Sequence, residues 1–215
     1  MKTLKEQTQA QVAKTKKVKP EYIQELDDVM DSARKFKQGA DAIKVGELAP
    51  DFTLPNANKK MITLSKLLIN TPVIISFYRG DWCPYCSLEL KALQARLADI
   101  KALGAELVTI SPQMPDESLS KEDIEALDFL VLSDQDANVA AKYGVAWDVP
   151  EFILEHMKRD RDLDLADINN GNGNILPIPA TFVVDKNGIV VWQYADVDFR
   201  TRAEPEDIIS ALKQL

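Results

Sequence analysis

Cys83 and Cys86 are the two cysteines of the chain, and only Pro84 and Tyr85 separate them. A tight Cys-Pro-Tyr-Cys pair is built for thiol–disulfide chemistry. Proline is favoured as the first residue of a helix, where its missing N–H had no partner to lose. With Pro84 in that place, Cys83 sits at the cap and its sulfur faces the unpaired N–H groups of Tyr85 and Cys86. Those donors and the positive helix end favour the thiolate, which is the nucleophile. Arg79 could add positive charge. Cys86, one turn on, is placed to attack a mixed disulfide or a sulfenic acid on Cys83, closing a small disulfide that a second dithiol must reduce.

Two other readings compete with redox chemistry. A structural zinc site takes four ligands, and the chain offers two cysteines and the single histidine His156, so no metal is assigned. Two inert core thiols are the other alternative. Pro84 between the cysteines, and Trp82 and Tyr85 beside them, favour a shaped, half-open surface instead. His156 is read as structural or solvated. A second mark is Leu176-Pro177-Ile178-Pro179-Ala180-Thr181 before a strand pattern. X-Pro bonds are where cis peptides occur. The expectation is a cis Ile178–Pro179 bond, with that loop lying against the cysteines and offering backbone groups to substrate; a plain trans kink before the strand is the alternative.

The elements that must position this pair follow from hydrophobic periodicity. Val73-Ile74-Ile75-Ser76-Phe77-Tyr78 is an apolar, β-branched run of the kind found in buried central strands. It leads directly into the cysteine motif. Leu88, Leu90, Leu93, Leu97, Ile100 and Leu103 have helical spacing, which predicts one helix over 84–103 with Gly104 as its stop. Further strands are expected at 107–110 and 129–132, with helices near 117–127 and 135–143. Phe52-Thr53-Leu54 and Met61-Ile62-Thr63 read as a short hairpin, followed by a helix capped by Ser65. Residues 147–177 read as irregular. Thr181–Val184 and Ile189–Trp192 bracket Asp185-Lys186-Asn187-Gly188 as a hairpin, and Pro205 opens a final helix through Leu212. Strand–helix alternation with a closing antiparallel hairpin predicts an α/β fold, a central mixed β-sheet flanked by helices.

Residues 1–44 differ in pattern from residues 45–215 and read as an N-terminal helical extension. Lys14, Lys16, Lys17 and Lys19 crowd before Pro20 as a solvated face. Tyr22, Ile23, Leu26, Val29, Met30, Ala33 and Phe36 then recur at helical steps, predicting an amphipathic helix over 20–38. Such an arm would dock on the core, or serve as a dimerisation or partner-binding surface.

The bulk composition narrows the partners. A net charge of −8 argues against nucleic acid and anionic membrane. No apolar run is long enough to span a bilayer, and no secretory pattern opens the sequence. The expectation is a cytoplasmic protein that needs no cofactor.

Taken together, these stretches resemble the peroxiredoxin-like branch of the alkyl hydroperoxide reductase/thiol-specific antioxidant family, in the thioredoxin-fold superfamily. The resemblance runs from about Val45 to the C-terminus. It rests on Gly46-Glu47-Leu48-Ala49-Pro50-Asp51-Phe52, on Phe77 through Cys86, on Leu132-Ser133-Asp134 with Tyr143-Gly144-Val145, and on Pro179 through Asp185. It implies a thioredoxin-like fold and a thiol-dependent peroxidase reducing hydrogen peroxide or organic hydroperoxides. Cys83 would become a sulfenic acid, Cys86 would resolve it, and a dithiol such as thioredoxin would recycle the pair. A thioredoxin-like thiol–disulfide oxidoreductase and a non-enzymatic redox-sensing interaction protein are the alternatives, and a homodimer is a further expectation. The family places a Thr or Ser three residues before the reactive cysteine; here Gly80 stands there and Ser76 lies seven before. Its peroxide-polarising arginine stands three before the strand phenylalanine; here Pro179 holds that slot before Phe182. Arg79 or Arg202 is the expected substitute, with Trp82 and Pro179 beside the substrate.

Overall fold

The computed structural model describes residues 2–114 and 127–215. The helix expected near 117–127 lies outside the described residues. In chain order the elements are α1 (Leu4–Val18), α2 (Pro20–Lys35), β1 (Thr53–Pro55), β2 (Met61–Thr63), α3 (Leu64–Leu68), β3 (Val73–Phe77), α4 (Pro84–Ala95), α5 (Leu97–Ala102) and β4 (Glu106–Ser111). After the undescribed stretch come β5 (Leu130–Ser133), α6 (Asn138–Lys142), β6 (Ala146–Asp148), α7 (Glu151–Arg161), α8 (Leu165–Ile168), β7 (Ile175–Pro177), β8 (Ala180–Val184), β9 (Val190–Ala195) and α9 (Pro205–Leu212).

A five-stranded sheet, ordered β5-β4-β3-β8-β9, forms the centre. All five residues of β3 are buried, as its unbroken apolar run requires. β3 runs parallel to β4, pairing Phe77 with Ile110, and antiparallel to β8, pairing Phe77 with Ala180. The sheet is therefore mixed, as expected. β3 ends at the sheet's middle, so the loop that leaves it emerges where side chains from both faces converge. This is the place where open α/β sheets hold ligands.

Several local expectations are corrected. The helix over 84–103 is two helices, because Arg96 leaves the helical region (φ −111°, ψ 6°) between α4 and α5. The cap of α3 is Thr63, and Ser65 instead gives its N–H to the Asp51 carboxylate. Residues 147–177 are not irregular: they hold α7, α8 and the β6–β7 pair. Asparagine- and glycine-rich composition marks only the turn at 169–174, and it masked the helix before it.

The N-terminal arm is two helices. α1 is polar along most of its length, so no apolar stripe announced it, and its stability comes from its start. Thr3 and Glu6 form a reciprocal capping box, and Glu204 accepts the N–H groups of Leu4 (3.1 Å) and Lys5 (2.6 Å). α2 buries Ile23, Leu26 and Met30 in the same hydrophobic core as the sheet. Asp27–Arg200 (2.6 Å) and Arg34–Asp198 (3.2 Å) tie it down at its rim. Phe36, expected in the buried stripe, is 79% exposed. The helix ends at Lys35, and Phe36 at its C-cap turns out of register with the stripe.

Candidate active site

The backbone places Cys83 as the N-cap of α4 and Pro84 in its first turn. Between β3 and this cap the chain makes a tight excursion at Gly80, whose φ of +148° is one that side-chain-bearing residues rarely adopt. A Cβ there would stand 2.3 Å from Trp82 Nε1 and 2.9 Å from Gln113 Oε1. The hydroxyl that the family carries at this position is thus sterically excluded here, not merely absent. Ser76 does not replace it, because its hydroxyl points inward and donates to Glu89 (3.1 Å).

Both sulfurs are buried, and both are free thiols. Burial opposes ionisation of Cys83. A hydrogen bond from the Cys86 thiol, the charges of Arg79 and Arg202, and the Cys86 N–H together overcome it and hold the Cys83 thiol well below its usual value. Residue spacing brings the helix-start N–H groups and Arg79 to the sulfur; the fold adds the Cys86 thiol and Arg202. Cys86 is driven the other way: burial and the negative charge of Cys83 raise it well above the usual thiol value, with Arg202 opposing.

The two arginines have different places. Arg202 reaches Glu89 Oε2 through Nε (2.5 Å) and Cys86 Sγ through Nη2 (3.0 Å), while Nη1 donates to the carbonyls of Phe199 and Thr201. It is fully engaged, on the Cys86 side. Arg79 is 3% exposed and makes no carboxylate contact among the described residues. Its guanidinium lies 4.0 Å above the Phe199 ring and 5.1 Å from the Trp82 ring, and its Nε is buried with no hydrogen-bond partner among the described residues. Burial lowers its pKa, and the two cysteines act against that loss.

A cavity of about 320 Å³ opens onto Cys83. Arg79 and Trp82 line it from the loop, Met157 and His156 from α7, and Phe199 from the segment after β9. Pro84 and Tyr85 line it from the start of α4, and the arm walls another side, through Tyr22 and Leu26 of α2 and Gln11 and Thr15 of α1. Of the two roles expected for His156, the structural one holds, and it lies in a helix instead of an irregular stretch. It is a buried residue of α7 whose ring stacks on Tyr22 at 3.6 Å and whose Nδ1 lies 2.9 Å from Asp160. Burial and Lys19 lower its pKa, which favours the neutral ring.

Of the residues singled out from sequence, Cys83, Arg79 and Trp82 meet at this cavity, and Cys86 and Arg202 lie directly behind them. Pro179 is buried and does not line the cavity. No cis peptide occurs among the described residues, so the expected cis Ile178–Pro179 bond is trans. The chain there continues extended from β7 into β8, with Ile178 N–H bonded to Val145 and the Pro179 carbonyl accepting from Asp196. Glu89 was missed, although a carboxylate on the apolar face of α4, one turn past Cys86, was a readable anomaly. Tyr22 was expected only in the apolar stripe of the arm helix, and Met157 and Phe199 were not singled out, because nothing local distinguishes these three from core residues.

This arrangement has relatives. Peroxiredoxin Bcp of Escherichia coli (strain K12) is 28% identical over 111 residues, 52% of this chain and 70% of that protein. A putative peroxiredoxin bcp of Coxiella burnetii is 28% identical over 159 residues, covering 73% and 93%. In three dimensions the chain shares the fold of peroxidoxin BcpB from Mycobacterium tuberculosis, with a TM-score of 0.62 and 22% identity over 80% of this chain and 98% of that one. Reduced Prx3 from Vibrio vulnificus, solved in complex with H2O2, gives 0.61 and 20% over 79% and 99%. The family model of the AhpC/TSA family matches residues 45–193, a stretch that contains both cysteines and most of the chain, and the protein belongs to that family.

Proposed function

We infer that the chain is a thiol-dependent peroxidase acting on hydrogen peroxide or organic hydroperoxides. One observation supports this above the others: a cysteine held as thiolate lines the same cavity as Arg79, a buried cation with an unused donor. In the first step Cys83 Sγ attacks the terminal peroxide oxygen. The S–O bond forms as the O–O bond breaks, sulfur loses two electrons, and the leaving oxygen takes a proton to depart as water or alcohol. Arg79 is the donor for the charge that develops on the two oxygens.

The second step is primed by the first. The Cys83 thiolate is one of the groups that hold Cys86 protonated. A neutral sulfenic acid no longer carries that charge, and Arg202, 3.0 Å from Cys86 Sγ, then favours its thiolate. Cys86 attacks the sulfenic sulfur, the disulfide forms, and hydroxide leaves as water. An external dithiol, of the thioredoxin-like kind, returns the pair to the reduced state.

The alternatives are not favoured. A protein–disulfide reductase needs an open groove at its nucleophile, and Cys83 is 1% exposed. The proposal keeps residues 1–44 as a helical extension and residues 45–215 as the redox domain; the family match beginning at residue 45 supports this division. It also includes a cytoplasmic location and a homodimer. No helix among the described residues is long and apolar enough to cross a membrane, and exposed Phe36 offers apolar surface for a second copy.

The test is stopped-flow oxidation of the Cys86→Ser protein by stoichiometric peroxide, with mass-spectrometric identification of Cys83 sulfenic acid. Oxidation much faster than that of a free thiol is expected. Arg79→Lys should slow it, because the charge remains but the fork is lost. Oxidation at the free-thiol rate, with protein-disulfide reduction intact in the unmodified chain, would replace the peroxidase reading with the reductase one.

A further inference from the structure

The family match begins at residue 45, yet the cavity over Cys83 is walled in part by residues of the first two helices. The arm is therefore in a position to supply chemistry that the family domain lacks. What that domain lacks is the hydroxyl three residues before the reactive cysteine: Gly80 holds the usual place, cannot carry a side chain there, and Ser76 is turned toward Glu89.

Resting on the peroxidase reading, we propose that the Tyr22 hydroxyl of α2 is a catalytic donor, giving a hydrogen bond and then its proton to the peroxide oxygen that leaves as Cys83 is oxidised. Tyr22 lines the same cavity as Cys83 and Arg79. Its ring is held by His156, stacked at 3.6 Å and 16°, and by Phe152, tilted at 5.6 Å. His156 is itself held by Asp160. A phenol held by two ring contacts loses little freedom on binding a substrate, which is what a preorganised donor requires. No hydrogen bond to the protein occupies its hydroxyl among the described residues. Burial raises its pKa, so the proton is in place at neutral pH.

Cys83 thiolate supplies the electron pair for the new S–O bond, and the O–O bond breaks toward the distal oxygen. Tyr22 delivers its proton there, so that water or an alcohol leaves. The proton on the attacked oxygen stays as the sulfenic O–H, and solvent reprotonates the phenolate.

The experiment compares Tyr22→Phe with the unmodified residue, both in the Cys86→Ser background, under two probes. Phenylalanine keeps the stack on His156, so the arm stays folded. Hydrogen peroxide needs a proton on its leaving oxygen, whereas iodoacetamide releases iodide and needs none. Oxidation by peroxide should fall about 100-fold in Tyr22→Phe, with the alkylation rate unchanged. Unchanged oxidation in Tyr22→Phe, or an equal fall with both probes, overturns this proposal alone. If the unsubstituted Tyr22 protein oxidises no faster than a free thiol, the peroxidase reading fails and this proposal with it.

Discussion

Arg202 joins Cys86 to Glu89: one guanidinium donates to the Cys86 sulfur at 3.0 Å and to a Glu89 carboxylate oxygen at 2.5 Å, with neither group in contact with solvent. A buried cation so placed is useful only while its charge is matched. Removing Glu89 would leave Arg202 facing a protonated thiol and two carbonyls. Glu89→Ala should therefore cost about 3–5 kcal/mol of stability. Urea unfolding measures it, and a loss under about 1 kcal/mol would mean that the pair is not the buried tie described.

The Cys83 thiol titrates below a free thiol, so its reactivity should survive into lower pH. The sign follows from the charged form being the favoured one in the fold: the thiolate is populated above the lowered pKa and lost as pH falls through it. Alkylation of Cys86→Ser followed against pH should give a midpoint below about 8.5. Serine keeps a hydroxyl donor where the Cys86 thiol stood. Arg79→Gln should move the midpoint upward, since Arg79 is among the groups that lower it. An unmoved midpoint would take Arg79 out of the electrostatics of the site.

Restoring the family hydroxyl at residue 80 should fail. Gly80→Ser forces a Cβ against the Trp82 indole on a backbone that L side chains rarely adopt. The expected result is a loss of about 1–3 kcal/mol and no gain in peroxide rate. A faster enzyme with undiminished stability would show that Trp82 moves aside freely.

The arm should matter to stability through α2 and not through its exposed end. Met30 is fully buried and Phe36 is exposed. Met30→Ala is expected to cost about 2–5 kcal/mol, and Phe36→Ala no more than about 0.5 kcal/mol. Equal effects at the two sites, read from unfolding curves, would contradict the burial of α2. Deleting residues 1–40 should additionally open the cavity, so that bulky maleimides label Cys83 faster than in the whole chain.

The parts legible from sequence were those set by neighbours along the chain. A proline after Cys83 made it a helix cap, an unbroken apolar run made β3 central, and Asp185 through Gly188 made a hairpin turn. Each is a preference of a few adjacent residues, and tertiary contacts agreed with it. α1 was legible too, in Thr3 and Glu6, but a polar helix carries no stripe and its capping box was passed over. The helix break at Arg96 and the trans Ile178–Pro179 bond went the other way, because long-range packing chose between locally similar options. The site itself belongs to the tertiary structure. Arg202 reaches Cys86 across more than a hundred residues of chain, and Tyr22 reaches the Cys83 cavity from a helix outside the family domain. Residue types and spacing name a nucleophile; the groups that set its charge and wall its cavity are neighbours only after the sheet, α7 and the arm have closed around it.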